Sequence, residues 1–436
     1  MNKLPLRIND LLITFKKDFQ RVSVFSFVFF LVKGSAFAAA LWLSNMVSIA
    51  DLGLFEYALS GGLILAVILN LGLQGAYPFF IIREKKESYR AIFFFHGLLV
   101  SGLILGLIFL NKITGYWIPI KFSLMGIMAS VIGMQVLYST ILKSHEVLIP
   151  AILLDGGIFI LINIYNILIY LGVLSFSFET LETGLMIYMM VLWGIYFREY
   201  NGIKNQFTVK KYKEAIHFGK HLVASSFLII LLTGGARIFI YYFLEIKEVG
   251  YYGFYFRLAA IIVMIHQIIN IVFFKKMYQS DTNTLDHYFS LFVGAILIMS
   301  ISLSFLVPVV FSSVLTLLEN SYGDYKLLYF TLSFQVVFWI ILALNENIIY
   351  REELSSKMNK GFFIILFLML GTMAIFSRLE ILNIFWLTII NMLAIAAAVE
   401  WQFFLLKKER NIRFTNTHLI NYLALILFFI TYNFIL

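Results

Sequence analysis

The sequence predicts an all-α polytopic membrane protein, with twelve or thirteen transmembrane helices arranged in two six-helix lobes. Three observations predict it. First, 61% of the 436 residues are hydrophobic and only 13% are charged, with a mean hydropathy of +0.91. A soluble domain is about 45–50% apolar and about 25% charged, and this much apolar side chain cannot be hidden inside a water-facing body of this size. Second, the apolar runs are long and do not alternate. Tyr57–Ile82 and Phe362–Phe376 contain no charged residue. A spanning helix needs about 20 apolar residues, whereas a membrane β-strand reads as about ten alternating ones. Third, basic residues collect in every second loop.

Taken in order, the apolar segments lie at 22–46, 53–82, 91–110, 118–142, 147–173, 181–197, 217–243, 251–274, 287–311, 325–349, 361–376, 382–406 and 418–435. The sixth, eleventh and thirteenth are close to the lower length limit for a span. In the first, Ala36-Phe37-Ala38 resembles a signal-peptidase site. The apolar run continues to Val47 and Lys33 interrupts the would-be signal core, so the segment reads as an uncleaved helix.

With the N-terminus placed inside, the inner loops hold 24 of the 33 Lys and Arg residues and the outer loops and their edges hold four. Lys16 and Lys17, Lys85 and Lys86, Lys210 and Lys211, Lys275 and Lys276, and Lys407 and Lys408 are all inner. The outer ones are Lys112, Lys121, Lys247 and Arg378. Cytoplasmic loops carry such an excess, and a miscounted helix would destroy the alternation. The net charge of +9 is therefore a mark of topology and implies no nucleic-acid partner. If segment 418–435 spans the membrane, the C-terminus lies outside. If it only lies on the surface, both ends are inside.

The longest polar connection, 198–216, divides the chain into an N-terminal lobe (1–197), a cytoplasmic linker, a C-terminal lobe (217–406) and a basic tail with one more apolar segment (407–436). The two lobes begin alike. Aligning Gly53 with Gly250 also aligns Asp51 with Glu248, Leu52 with Val249, Phe55 with Tyr252 and Tyr57 with Phe254. The offset of 197 residues is six helices. Six is even, so both copies run the same way through the bilayer, which predicts a pseudo-two-fold axis along the membrane normal and a cavity between the lobes.

Several residues carry a resemblance. Ala50-Asp51-Leu52-Gly53-Leu54-Phe55, followed by Leu69-Asn70-Leu71-Gly72-Leu73, resembles the second helix of polysaccharide-type flippases of the multidrug/oligosaccharidyl-lipid/polysaccharide exporter superfamily. Arg237–Leu244, Glu248–Tyr252 and Tyr255-Phe256-Arg257-Leu258 resemble that family's seventh and eighth helices. The pattern covers about residues 20–406, and its sharp motifs cover about fifty residues. The resemblance implies a V-shaped pair of lobes that flips undecaprenyl-diphosphate-linked sugar repeat units, as in O-antigen and lipopolysaccharide synthesis, across a bacterial cytoplasmic membrane. It also implies partnership with other polysaccharide-assembly membrane proteins. Twelve or fourteen spans are usual in the family, so a thirteenth segment departs from it.

Ionisable groups inside spans are costly and are functional candidates until explained. Lys33 lies near the midplane of the first helix. Arg237 and Arg257 lie roughly 10 Å from the outer face in the seventh and eighth, and Lys220 lies near the inner end of the seventh. Together they read as a cationic, substrate-binding cavity for a lipid diphosphate. Arg offers a planar fork for phosphate oxygens and Lys a point charge, and a gap between lobes would leave the polyprenyl tail in lipid. The rival reading is structural pairing, with Glu56 at a depth where either arginine could meet it. Asp155 and Glu56 are candidates for binding a coupling proton or cation. His96 and His266 could titrate near neutral pH, though a lone helical His more often serves packing. Asn70, Gln74, Gln135, Asn163, Asn166, Gln267, Asn270 and Asn345 would line a polar cavity or bind helices together.

No cysteine is present, so thiolate metal sites and Cys nucleophiles are excluded. No nucleotide loop, His-Glu-x-x-His or metal-spaced carboxylate cluster occurs. The expectation is a flippase that is not an enzyme and has no cofactor. Two alternatives stay open: a cation-coupled multidrug exporter of the same superfamily, which would have an acidic cavity, and a membrane glycosyltransferase or polymerase, which would have a large outer loop.

Overall fold

In the computed structural model of the chain, the described residues are 27–115, 117–267 and 281–435. They are helical almost throughout and contain no strand. The helices are α1 Phe27–Leu43, α2 Ile49–Leu69, α3 Arg90–Thr114, α4 Ile120–Ser144, α5 Leu148–Asp155 and α6 Gly157–Tyr170. They continue with α7 Phe178–Ile203, α8 Val209–Gly234, α9 Ala236–Phe243 and α10 Ile246–Ala259. The last five are α11 Thr282–Phe311, α12 Thr316–Arg351, α13 Ser355–Arg378, α14 Ile384–Arg410 and α15 Thr415–Ile435.

Ten helices among the described residues are long and apolar enough to cross a membrane, and an eleventh is formed if α5 and α6 are one span bent by 56°. The chain is thus a multi-pass α-helical membrane protein. The expected count of twelve or thirteen is not confirmed among these residues. The first apolar segment is described only from Phe27, which leaves α1 with 17 residues. The side chains at the end of α15, and the end of the eighth segment with Asn270, Lys275 and Lys276, lie outside the described residues. So do Lys16 and Lys17 in the N-terminal stretch.

Polar residues in the turns start the helices. Ser48, Ser177, Thr208, Asp281 and Asn383 each accept a hydrogen bond from a backbone N–H three residues on, which satisfies an otherwise orphaned first-turn donor. The stretch 198–216 is largely helical, because α7 runs to Ile203 and α8 starts at Val209.

Turns expected on one side of the membrane meet one another. Asn45, between α1 and α2, bonds Val314, between α11 and α12, and Thr316, the first residue of α12. At the opposite end, Arg90 pairs with Glu199, Tyr89 bonds Glu214, and Lys357 pairs with Glu409. The first end is the charge-poor one in the sequence and the second is the basic one.

Helices α2 to α7 pack on one another, and α8 to α15 pack on one another. Between the two groups the main contacts run through α2, which lies against α8, α9 and α10. Glycines make these contacts close. A Cβ on Gly53 would stand 2.0 Å from the Ile246 carbonyl oxygen, and one on Gly250 would stand 2.3 Å from that of Ile49. The two contacts are reciprocal, since each glycine meets the residue four before the other. Near the basic end, Gly72 has φ +71 and would place a Cβ 2.2 Å from the Gly219 carbonyl oxygen. Only glycine combines that backbone with that approach. The seam is therefore shut at both ends of α2.

Candidate functional site

Three of the spans that border the seam are interrupted. The α8–α9 span breaks at Gly234–Gly235, α10 passes into a 3-10 turn at Ala260–Ile262, and α5–α6 bends at Gly156. An interruption frees backbone groups that hydrocarbon cannot satisfy, so it is tolerated only within protein or beside a cavity. Polar side chains answer it at the α8–α9 break. Ser60 of α2 donates to the Gly234 carbonyl at 2.7 Å, and Asn391 of α14 donates to that of Leu232 at 2.9 Å.

These interruptions converge on a cavity of about 160 Å³. Glu56, Ser60 and Leu63 line it from α2, Phe37 from α1, and Phe159 from α6. On the other side stand Arg237 of α9 and Phe256 and Arg257 of α10, with Gln267 and Trp339 beyond. On α2 the cavity starts about 10 Å from the charge-poor end, at ~1.5 Å per residue, and runs toward the middle of the helix.

The charged core is a triad. Glu56, 1% exposed, forms an ion pair with Arg237, whose Nε lies 2.8 Å from Oε2, and accepts a hydrogen bond from Arg257 Nε at 2.5 Å on Oε1. Arg257 also donates to the Ala36 carbonyl of α1 at 2.8 Å. Arg237 lies over the Phe256 ring, 4.7 Å from its centre, and within 5.6 Å of that of Tyr252. Two guanidinium groups against one carboxylate leave one net positive charge. A buried charge without a counter-ion is expensive, so the site favours an anion. The triad also ties α1 and α2 to α9 and α10, which makes it a structural clasp between the two groups of helices.

The residues singled out from sequence do not all meet here. Arg237, Arg257 and Glu56 come together, in the paired arrangement that the sequence left open. Glu56 is held between two cations. Lys33 does not line the cavity. It is partly buried on α1, within electrostatic range of Asp155 and Lys143. Asp155 pairs with Lys143 Nζ at 2.5 Å. Lys220 is exposed and has His217 as its neighbour at 3.4 Å. It stands at the basic end, away from the arginines.

The amides divide between the two roles foreseen. Asn70, Asn163 and Asn166 bond the carbonyls of Gly133, Ser35 and Ala39, and Gln135 bonds the Tyr188 hydroxyl, so these four bind helices together. Gln267 lines the arginine cavity. Gln74 lines a second one of about 470 Å³, with Val67, Gly75, Leu222, Ser226 and Tyr350. His96 is fixed between the Tyr212 hydroxyl and the Leu69 carbonyl, a packing role.

The reading from sequence missed Ser60, Phe37, Phe159 and Trp339. The doublets Gly156-Gly157 and Gly234-Gly235 were the available signal, because paired glycines inside a span mark a break. Fold and site together define a multi-pass α-helical membrane protein with a charged cavity at the seam between two groups of helices. No family model matches the chain, and neither does any curated protein or solved structure.

Proposed function

We propose that this protein is a flippase that carries an anionic, lipid-diphosphate-linked oligosaccharide across a bacterial cytoplasmic membrane by alternating access. The single observation that carries the reading is the Arg237–Glu56–Arg257 triad, one positive charge in excess, set in a cavity on the seam. A diphosphate supplies the missing negative charge, and guanidinium forks match its oxygens. No bond needs to be made or broken.

In this reading residues 1–197 and 217–406 are two six-helix lobes related by a pseudo-two-fold axis along the membrane normal. The reciprocal Gly53–Ile246 and Gly250–Ile49 contacts support that axis, because equivalent residues meet equivalent residues across it. The basic end faces the cytoplasm, with the N-terminus inside. At about 160 Å³ the cavity is smaller than the roughly 300–1,000 Å³ of ordinary ligand sites. The present arrangement is then a closed state, and the seam must part for an oligosaccharide to enter. The resemblance in the second, seventh and eighth helices points the same way, and a cation-coupled exporter of drugs would need an acid not already held by two arginines.

Arg237→Gln is the test. It removes the excess charge and leaves Glu56 paired with Arg257. Purified protein in vesicles is assayed for transbilayer movement of a fluorescent polyprenyl-diphosphate glycolipid. Wild-type protein speeds movement above protein-free vesicles, and the variant loses at least tenfold of that rate at an unchanged melting temperature. Wild-type vesicles no faster than protein-free ones would overturn the function, and a fully active variant would overturn the role of the triad.

A further inference from the structure

A second cluster of charges stands at the bend between α5 and α6. Asp155 ends α5, and its carboxylate holds Lys143 Nζ, from the last turn of α4, at 2.5 Å. Gly156 then turns the chain by 56°. A Cβ there would stand 2.1 Å from Val32 Cγ1, so the bend is pressed against α1 beside Lys33. Lys33 lies within electrostatic range of both Asp155 and Lys143. Among the described residues its ammonium has no hydrogen-bond or ion-pair partner, and it stands near the middle of the span.

The composition repeats that of the first site: two cations, one carboxylate, one positive charge in excess. The placement links the two. Lys33 shares a face of α1 with Ala36 and Phe37, three and four residues on. The Ala36 carbonyl receives Arg257, and Phe37 lines the arginine cavity. On the other wall Asp155 precedes Phe159, another lining residue, by four. The lysine cluster is therefore about one helical turn, some 5–6 Å, nearer the basic end than the arginine cavity. Lys143 is 45% exposed in its side chain and Asp155 is 15% exposed, so the cluster opens outward where the arginine triad does not.

We propose that Lys33, Lys143 and Asp155 form a second anion-binding station, which takes the diphosphate of the lipid-linked substrate near the basic end before Arg237 and Arg257 receive it. Asp155 is the internal anion that the diphosphate displaces from Lys143. Lysine suits a brief hold, being a compact charge on a flexible stem, whereas the arginine forks suit a tighter one. The proposal rests on the flippase reading and adds the order in which its cations act.

The test is equilibrium binding of radiolabelled farnesyl diphosphate to the purified full-length chain in detergent micelles, separate from any transport assay. Lys33→Ala and Lys143→Ala each weaken binding about tenfold, the size of one charge-assisted contact. Lys33→Arg restores it. Asp155→Asn tightens binding at least threefold, because it removes the internal competitor, a change that a merely structural carboxylate would not produce. Lysine variants that bind like wild type while Arg237→Gln loses binding would overturn the second station and leave the flippase reading standing. Displacement of the probe by an equal concentration of phosphatidylglycerol would also overturn it, by assigning the lysines to ordinary phospholipid headgroups.

Discussion

At the scale of single residues, Glu56 carries the most. It is the one carboxylate between two buried guanidinium groups, and breaking a buried ionic cluster from one side is far more costly than never having built it. Glu56→Gln is expected to destabilise the fold by about 3–5 kcal/mol, seen as a lower melting temperature and poor recovery in detergent. Arg237→Gln should do neither, since a neutral Glu56–Arg257 pair remains. Equal loss of stability in the two variants would mean that the excess charge has no separate role. Each member of the triad was visible in the sequence as an ionisable residue inside an apolar run. Their pairing was one of two readings that depth allowed, and the sequence could not choose it, because Glu56 and Arg257 are 201 positions apart and their meeting depends on how two helices are rotated. Lys33 shows the same limit from the other side. Its depth was readable, but its neighbours were not: it stands beside the α5–α6 bend, where Gly156 meets Val32, and not in the arginine cavity.

At the scale of the element, helix starts carry a local signal and helix breaks carry less of one. A Ser, Thr, Asp or Asn before an apolar run acts through its own first turn, so local sequence suffices. The last helix, α15, shows where local signals end. Its first turn is capped from another helix: buried Asp286 of α11 accepts the N–H groups of Asn416 and Thr417, both at 2.9 Å, and the Thr417 hydroxyl at 2.8 Å. Glu400 of α14 adds contacts to His418 and Asn421, each at 2.7 Å. Asp286→Ala should loosen this docking by about 1.5–3 kcal/mol, the range for hydrogen bonds to a charged group. Hydrogen exchange should then rise in 415–421 while α12 stays protected. Unchanged exchange there would show that apolar packing alone holds α15. The breaks at Gly156 and Gly235 are of the other kind. Gly-Gly doublets hint at them, but α2 also contains a doublet, Gly61-Gly62, and runs on unbroken. What differs is the neighbour: Ser60 and Asn391 satisfy the carbonyls freed near Gly235.

At the scale of the whole molecule, α2 is the seam, and the proposed flippase cycle would have to part it from α8, α9 and α10. The chain has no cysteine, so an engineered pair would be the sole thiols. A Cβ on Gly75 would stand 4.0 Å from Leu222 Cβ, inside the roughly 3.5–4.5 Å window for a disulfide. Oxidising Gly75→Cys/Leu222→Cys should lock the basic end shut and stop glycolipid movement, and reduction should restore it. Full movement in the oxidised, cross-linked protein would show that this end need not open. The large cavity beside that contact, lined by Gln74, Ser226 and Tyr350, would then have no route to the basic end through this contact.

The sequence by itself determined where the apolar segments lie and that their connections alternate between a basic and a charge-poor end. Both follow from local composition against a bilayer of fixed thickness, so neither needs knowledge of what packs on what. Only the tertiary structure decided that Arg237 and Arg257 share Glu56, that Lys33 lies outside their cavity and that both ends of α2 are shut. Those outcomes depend on the azimuth of each helix and on atoms brought within a few ångströms across hundreds of residues, which periodicity along one chain does not encode.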